Sequence, residues 1–396
     1  MTNNNDKKVL NVPNLRFPEF SGEWRKDVLQ NVVSFSNGKA HESCVDENGN
    51  YILINSKFVS TEGSVIKKVT LQLSPLFKSQ FVMVMSDLPN GKALAKCYYI
   101  EQDNIYTLNQ RICSFSAKEG NISRFLMYHI NRNKYYLRFD DGINQTNLKK
   151  SEVLACPVFI PTKEEQIKIA AFIHLLDERI KVQNKIIEKL QSLIKGLVVT
   201  HYSTTTHSIK VKIQDLGEAY STMVMSKEQL TNNGNPCIFY GELFTLYGCI
   251  IDEVKSRTCL EKASSTLSHG RDLLFPASTT VDAVSLIAPS TLMQKGIILG
   301  GDMFGIKVAE IYNPIYLSYY FNYIANRRLS KYAKGTTIIH LHYNEIANVV
   351  IELPNIEEQD KIVSTIMRYS TKLSIEEAIL EKLSDLKQYL LKQMFI

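Results

Sequence analysis

The sequence lacks the features of membrane and secreted proteins. No apolar run approaches the roughly 20 residues that a membrane-spanning helix needs, and no signal peptide is evident. The seven cysteines are odd in number and include no CxxC pair, which argues against a disulfide framework. We therefore expect reduced thiols in a cytoplasmic protein.

The sequence also lacks the motifs of common enzymes. It has no P-loop, no HExxH and no nucleophile elbow. The stretch 313–316, NPIY, resembles the amine-gripping loop of amino-methyltransferases, but the second proline and a glycine-rich cofactor loop are both missing. His41 with Cys44, and His340 with His342, have no second ligand pair at structural-zinc spacing. We therefore predict no catalytic site, no metal and no cofactor in this chain.

Charge and length leave room for a nucleic-acid partner. Lysine and arginine number 46 against 40 aspartate and glutamate, which gives a net charge of +6 and a pI near 8.7. This mildly basic balance permits nucleic-acid binding without demonstrating it. A chain of 396 residues can hold two to three domains.

The dominant feature is an internal repeat with an offset of 193 residues. The stretch 161–200 aligns without a gap with 354–393, and both copies open with a proline, two variable residues and the sequence Glu-Glu-Gln. Upstream, Gly142, Leu148 and Glu152 match Gly335, Leu341 and Glu345. A repeat this long predicts two related halves.

Each copy of the repeat predicts a long helix. Thr162 with Glu165, and Asn355 with Glu358, have the spacing of an N-cap and a third-residue carboxylate at a helix start. Apolar residues then recur in steps of four and three, which is typical of a coiled coil. The predicted seam residues are Ile169, Ile173, Leu176, Ile180, Gln183, Ile187, Leu190, Ile194 and Leu197 in the first helix, and Ile362, Ile366, Tyr369, Leu373, Glu376, Leu380, Leu383 and Leu390 in the second.

Polar residues interrupt both seams at equivalent midpoints, Gln183 and Glu376. Because polar seam residues commonly fix register, we predict an antiparallel pair of helices in which these two residues face each other. The alternative is two unrelated amphipathic helices that pack on separate cores.

The predicted fold class is α+β, with two mixed α/β globules separated by two long helices. The domains are a first globule at 1–160, a central helix at 161–200, a linker at 201–208, a second globule at 209–353 and a last helix at 354–396. Short apolar runs between turn residues predict strands, among them 28–35, 243–247 and 284–287. The runs 122–132 and 315–328 predict helices at matching places in the repeat.

Candidate nucleic-acid contacts are side chains in loops that suit phosphates or base edges. A solvated surface is the competing interpretation for each residue alone, although the loops after Gly142 and Gly335 gain weight from the repeat. The candidates are Lys67, Lys68, Asn90, Lys92, Arg111, Arg138, Asn144 and Gln145 in the first globule, and Arg271, Ser278, Thr279, Thr280, Lys331, Lys334, Thr336, Thr337 and His340 in the second.

These patterns together resemble the specificity subunit of type I restriction–modification systems. The resemblance is carried by LRFPEF…W at 15–24, by the stretches 142–180 and 335–362 that lead into each helix, and by RDLLFPAST at 271–279. It covers essentially the whole chain.

The resemblance implies a non-catalytic subunit with two target-recognition domains, each reading one half of a bipartite double-stranded DNA target. The two helices would set the spacer and help dock two methyltransferase subunits, which use S-adenosylmethionine. Restriction subunits that need ATP and Mg would join them. Two other hypotheses are a coiled-coil scaffold that binds proteins and a stand-alone DNA-modifying enzyme.

Overall fold

The computed structural model describes residues 11–89, 91–205 and 208–396. The chain forms two units, each with mixed strands and short helices, as the repeat predicted. The first unit contains the chain up to Gln183 together with Ile379–Ile396, and the second contains Asn184–Ala378. The first long helix is Lys163–Thr204 and the second long helix is Ile356–Met394, so each unit includes a part of both.

The first unit is built on two small sheets. One is antiparallel, with strands in the order Val33–Asn37, Ile112–Ala117, Phe81–Val84 and Cys97–Tyr99; the other has the order Lys68–Val69, Tyr51–Ile54 and Tyr106–Leu108. Two-stranded ribbons join Arg25–Val28 to Pro157–Ile160 and Ser86–Asp87 to Thr146–Asn147. Its short helices are Leu29–Val32, Glu42–Cys44, Ser56–Ser60, Ser123–Ile130, Lys134–Leu137 and Lys150–Leu154.

The second unit is built on two five-stranded sheets. The first has the order Gly217–Ser221, Met303–Val308, Asp272–Pro276, Ser290–Leu292 and Ile250–Ile251. The second has the order Leu230–Thr231, Ser256–Thr258, Asn235–Phe239, Lys295–Gly300 and Leu267–His269. Ribbons join Ser208–Lys212 to Val350–Pro354 and Ser278–Thr279 to Ile339–His340. The short helices are Ile213–Leu216, Lys227–Gln229, Glu242–Thr245, Lys262–Ser264, Ala283–Leu286, Pro314–Tyr320, Phe321–Ala325, Asn326–Leu329, Ser330–Tyr332 and Tyr343–Ile346.

The central strand of each unit is buried on both faces. All four residues of Phe81–Val84 are buried, because alternate side chains of a strand point to opposite faces and each face meets its own core. Phe81 and Met83 pack with Trp24, whereas Val82 and Val84 pack with Phe58. The strand Asp272–Pro276 of the second unit divides its side chains between two cores in the same way.

Within each unit the two long helices run antiparallel. In the first unit Asp177 contacts Lys387 at 2.5 Å, and Ile173, one turn earlier, shares a core with Leu390, about one turn later. In the second unit His201 lies 3.5 Å from Glu358, and the preceding Val198 shares a core with the following Ile362. The predicted antiparallel arrangement is therefore present in both units.

The seam side chains of the long helices are buried or half-buried. Gln183 is fully buried and Glu376 is half-buried. The expectation that these two face each other stays a prediction.

Both helix starts use the predicted N-caps. Thr162 Oγ1 accepts the Glu165 N–H at 3.4 Å, and Asn355 Oδ1 accepts the Glu358 N–H at 3.0 Å. The expected role of the Glu165 carboxylate was wrong, however. Instead of capping its own helix, the buried carboxylate accepts both Nε and Nη2 of Arg16 at 2.7 Å, and Nε1 of Trp24 at 3.3 Å.

The glutamine of the repeated Glu-Glu-Gln sequence joins each long helix to a short helix of its own unit. Gln166 Oε1 accepts the backbone N–H of Ile122 at 2.9 Å, and its Nε2 donates to Pro161 O at 3.1 Å. Gln359 Oε1 accepts the N–H of Asn313 at 2.9 Å, and its Nε2 donates to Pro354 O at 2.8 Å. Both glutamines are fully buried. The repeated glutamine therefore makes equivalent tertiary hydrogen bonds in the two units.

Several local predictions were wrong. The stretch 28–35 is interrupted by the helical turn Leu29–Val32, because Leu29 and Val32, three residues apart, bury one helical face. The predicted strand 243–247 is the helix Glu242–Thr245, and 284–287 is the turn Ala283–Leu286, which Asp282 caps. The predicted linker 201–208 is shorter than expected, since the first long helix continues to Thr204 and a strand begins at Ser208. The helix predicted at 315–328 is present but passes through a wider π-type turn at Phe321–Ala325.

Candidate nucleic-acid interface

The first unit brings three polar segments together where the two inner strands of its four-stranded sheet meet the loops. Ser86 and Asp87 pair with Asn147 and Thr146 in an antiparallel ribbon. The third segment is the turn at Arg111, whose carbonyl accepts the N–H of Met85 at 2.9 Å. Met85 O in turn accepts the N–H of Leu148 at 2.8 Å. We call this three-segment arrangement the platform of the first unit.

The second unit contains the same platform. Ser278 and Thr279 pair with His340 and Ile339. Asp302 O accepts the N–H of Ala277 at 2.8 Å, and Ala277 O accepts the N–H of Leu341 at 2.9 Å. The matching residues differ in number by 191 to 193, close to the offset of the sequence repeat. The backbone is therefore repeated, while the paired side chains other than Ser86 and Ser278 differ between the units.

A glycine turn leads into each platform. Gly142 has a φ of +71° and Gly335 a φ of +119°, a region that favours glycine. A Cβ on Gly335 would lie 2.0 Å from the carbonyl oxygen of Ile338. The glycines shared by the two halves therefore allow the loops 142–145 and 335–338 to fold back tightly.

The loop of the first unit is ordered by Asp141. Its carboxylate accepts the backbone N–H groups of Asn144 and Ile143 at 2.8 and 2.9 Å. These bonds, the one from the Asn144 backbone first, lower the pKa of Asp141 to about 2. The exposed Asn144 and Gln145 are thus held on a defined turn rather than on a loose loop.

The first platform presents amide and guanidinium groups around the buried hydroxyl of Ser86. Ser86 Oγ donates to Asn147 Oδ1 at 2.6 Å, and Gln145 Nε2 donates to Ser86 Oγ at 2.8 Å. Arg111 is exposed and has a φ of +68°. A residue with a side chain in that sparsely populated region costs about 1–3 kcal/mol.

The second platform presents charged and aromatic groups. His340 Nδ1 lies 3.7 Å from Asp302 Oδ2, and the His340 ring stacks on His342 with centroids 6.2 Å apart. The backbones of Lys334 and His340 exchange hydrogen bonds of 2.9 and 2.7 Å, while Lys334 Nζ pairs with Glu345 at 2.9 Å. The two platforms are therefore chemically distinct.

A groove of about 950 Å³ opens beside the second platform. Asp302 and His342 line it together with Tyr220 and Asn344. Burial raises the pKa of the Tyr220 hydroxyl well above its ordinary range, and this hydroxyl donates to Asp272 at 2.5 Å. The groove thus has a fixed aromatic wall and a polar rim.

The structure brings some of the sequence-predicted residues to the platforms. Arg111, Asn144 and Gln145 lie there in the first unit, and Lys92 lies in the adjacent loop, which Asp87 orders by accepting two N–H groups. The second platform and its flanking loop contain Ser278, Thr279, Thr280, Lys334, Thr336, Thr337 and His340. Asn90 lies outside the described residues.

Other predicted contacts have structural roles or lie elsewhere. Arg271 donates to the carbonyls of Val308, Ala309 and Tyr312 at 2.6–3.3 Å, so its guanidinium holds a loop instead of facing solvent. Ser278 and Thr279, expected in an exposed loop, are buried in a ribbon because both pair with the strand Ile339–His340. Arg138 stacks over Tyr135 at 4.1 Å and Lys331 over Tyr332 at 5.3 Å. Lys68 belongs to the three-stranded sheet, and the carbonyl of the preceding Lys67 accepts the N–H of Leu53 at 2.8 Å.

Sequence reasoning missed Ser86, Asn147 and Asp302. Asn147 is the +193 counterpart of His340, so the repeat itself could have indicated it. Ser86 and Asp302 lie in segments without repeated sequence, and only the backbone pairing places them.

The described part of the chain offers no metal site and no membrane-spanning helix. No group of three or more His, Cys, Asp or Glu side chains there is placed to hold a metal ion. No helix within the same residues is long and apolar enough to cross a membrane.

Comparison with known proteins gives two kinds of match. The family model described as "Type I restriction modification DNA specificity domain" matches twice, over residues 22–192 and 208–385. The S subunit of a type I restriction–modification system from M. genitalium is similar in structure, with a TM-score of 0.59, 14% identity, and coverage of 97% of this chain and 99% of that one. A chain from a structural study of complex assembly and conformational transition in a type I R-M system has a TM-score of 0.51 and 15% identity, covering 94% and 97%. At these identities the structural matches show the fold alone.

Proposed function

The chain belongs to the type I restriction modification DNA specificity domain family, and from that premise we propose that it is the sequence-recognition subunit of a type I restriction–modification complex. The first unit binds one half of a bipartite, asymmetric double-stranded target and the second unit binds the other half. The observation that carries this proposal is the repeated platform: one backbone arrangement presents different side chains in the two units.

The proposed mechanism is binding without catalysis. The platform side chains contact base edges, which carry the sequence information, while lysines of the adjacent loops contact phosphates, which position the protein. Lys92 of the first unit suits a phosphate contact, because it is exposed and lies in a loop ordered by Asp87. Two different sets of side chains predict two different half-sites.

The two long helices set the spacer in this proposal. A heptad inserted in an α-helix adds about 10 Å at 1.5 Å per residue, which corresponds to about three base pairs at 3.4 Å each. Their outward faces help dock two methyltransferase subunits, and restriction subunits join that cytoplasmic complex. S-adenosylmethionine, ATP and Mg bind to those partner subunits, and the chemistry takes place there.

The first experiment maps N6-methyladenine across the source genome with the gene intact and with it deleted. Loss of one split, asymmetric motif on deletion is the expected result. An unchanged methylome, together with no binding of the purified chain to a methyltransferase subunit, would contradict the proposal. A protein-binding scaffold would instead show no DNA preference and no dependence of binding on salt.

Two engineered chains test the division of roles. Exchanging residues 209–353 for those of a relative should change one half-site and leave the other half-site and the spacer unchanged. Inserting a heptad at Gln183 and another at Glu376 should lengthen the spacer by about three base pairs. A spacer that stays the same would refute the role of the helices.

A further inference from the structure

Arg111 and Asp302 occupy the same position in the two platforms. Each carbonyl accepts the N–H that opens the ribbon, from Met85 and from Ala277 respectively. Each residue also directly precedes a six-residue strand, Ile112–Ala117 or Met303–Val308, whose first residue pairs with the strand before the ribbon. Two independent backbone relations therefore make these residues equivalent.

The guanidinium of Arg111 is exposed and makes no hydrogen bond or ion pair inside the described part of the chain. Two other arginines of the first unit are bound to carboxylates: Arg16 binds Glu165, and Arg124 binds Glu101. Arg111 makes no such bond, lies exposed, and keeps a left-handed backbone with a φ of +68° that glycine would adopt without strain. Five other non-glycine residues of the first unit also have a positive φ, so Arg111 is distinguished by combining this backbone with an exposed guanidinium at the platform.

Asp302 presents the opposite charge from the equivalent position. Its carboxylate is partly exposed, 3.7 Å from His340, and lines the groove of the second unit. In this turn the residue with the left-handed backbone is Gly301, directly before Asp302, with a φ of +94°. The two units thus offer a five-donor fork and an acceptor-only carboxylate at one shared position.

These groups suit complementary edges of a base pair. An arginine fork donates to both O6 and N7 of guanine in the major groove, and an aspartate accepts from the N4 amine of cytosine. Resting on the proposed function, we propose that Arg111 reads a guanine in one half-site and that Asp302 reads a cytosine at the corresponding place in the other. The two residues are then the determinants of one base in each half of the target.

The test uses the full chain in complex with its methyltransferase subunits. Methylated motifs are mapped for the unmodified chain and for Arg111→Gly, Arg111→Ala and Asp302→Ala. Arg111→Gly removes the side chain while suiting the left-handed backbone, so it keeps the fold. Arg25→Ala is the matched control, since Arg25 is exposed in the same unit and pairs with Asp27.

Both Arg111 variants should methylate sites in which one guanine is replaced, with discrimination at that position reduced by about 5- to 150-fold. Asp302→Ala should relax one cytosine in the other half-site, and Arg25→Ala should leave the motif unchanged. Binding of the same complexes to a panel of single-base variants gives the answer if methylation is too weak to map.

Two results would overturn the inference while leaving the proposed function intact. One is an unchanged motif in Arg111→Gly. The other is a uniform loss of affinity across all sequences with a smaller salt slope, which indicates a phosphate contact. A chain that directs no split motif at all, even without substitution, would instead refute the proposed function.

Discussion

The bond between Arg16 and Glu165 should be a principal source of stability for the first unit. The Glu165 carboxylate is fully buried, and it accepts two hydrogen bonds from Arg16 and one from Trp24. Breaking a buried pair costs about 3–5 kcal/mol, because one charge is left without compensation. The Arg16 side chain is 12% exposed, so we expect Arg16→Ala to lower the free energy of unfolding by about 3 kcal/mol, at the low end of this range.

The single tryptophan makes this prediction measurable. Trp24 is 1% exposed and contacts the same carboxylate, so its fluorescence reports unfolding of the first unit in urea. With a slope of about 2 kcal/mol per M, a loss of 3 kcal/mol lowers the unfolding midpoint by about 1.5 M. Arg25→Ala, which removes a guanidinium that is 65% exposed, should change stability by less than about 0.5 kcal/mol. Equal midpoints for Arg16→Ala and Arg25→Ala would refute the reasoning.

Three further predictions concern single residues. Gln166→Ala and Gln359→Ala should each lower the free energy of unfolding by about 1–3 kcal/mol, because each leaves a backbone N–H without its acceptor. Thermal unfolding should show losses of stability of similar size in the two variants. A loss at only one position would contradict the equivalence of the two glutamines. Burial lowers the pKa of His129 to about 4, below its ordinary 6.5, so the neutral form is favoured by folding and stability should fall as the pH drops from about 6.5 to 4. His129→Gln should flatten that dependence in the Trp24 assay, and an unchanged slope would exclude His129 as its source. Gly335→Ala should disturb the second half-site alone, since its Cβ would meet Ile338 O; a motif altered in both halves would contradict this.

The sequence predicted the elements whose signals are long and repeated. Both long helices begin where the prolines and N-caps indicated, and the antiparallel arrangement in each unit follows from the seam pattern. Glu165 was misread because its partner Arg16 lies 149 residues away, and local capping patterns contain no information on so distant a contact. A helix start can be predicted from four residues, whereas the distant partners of the side chains at that start cannot.

The candidate interface was only partly predictable for a related reason. The strands of the two ribbons are only two residues long. They are therefore too short to show an alternation of apolar and polar residues in the sequence. The repeat pointed to the loops after Gly142 and Gly335, but it could not indicate the segments that pair with them. Residue type and an expected loop position suggested Arg271 as a contact, but the sequence contains no sign of its hydrogen bond to the carbonyl of Tyr312, 41 residues away.

The first unit is assembled from stretches that the ribosome makes at very different times. Leu15 donates its N–H to the carbonyl of Gln393 at 2.9 Å, and Leu390 and Met394 enter the core formed around Trp24. The second unit is one continuous stretch, Asn184–Ala378. The first unit therefore cannot be completed until residues 379–396, which follow the second unit in the chain, have been synthesised. We expect the second unit to reach its final structure first during synthesis.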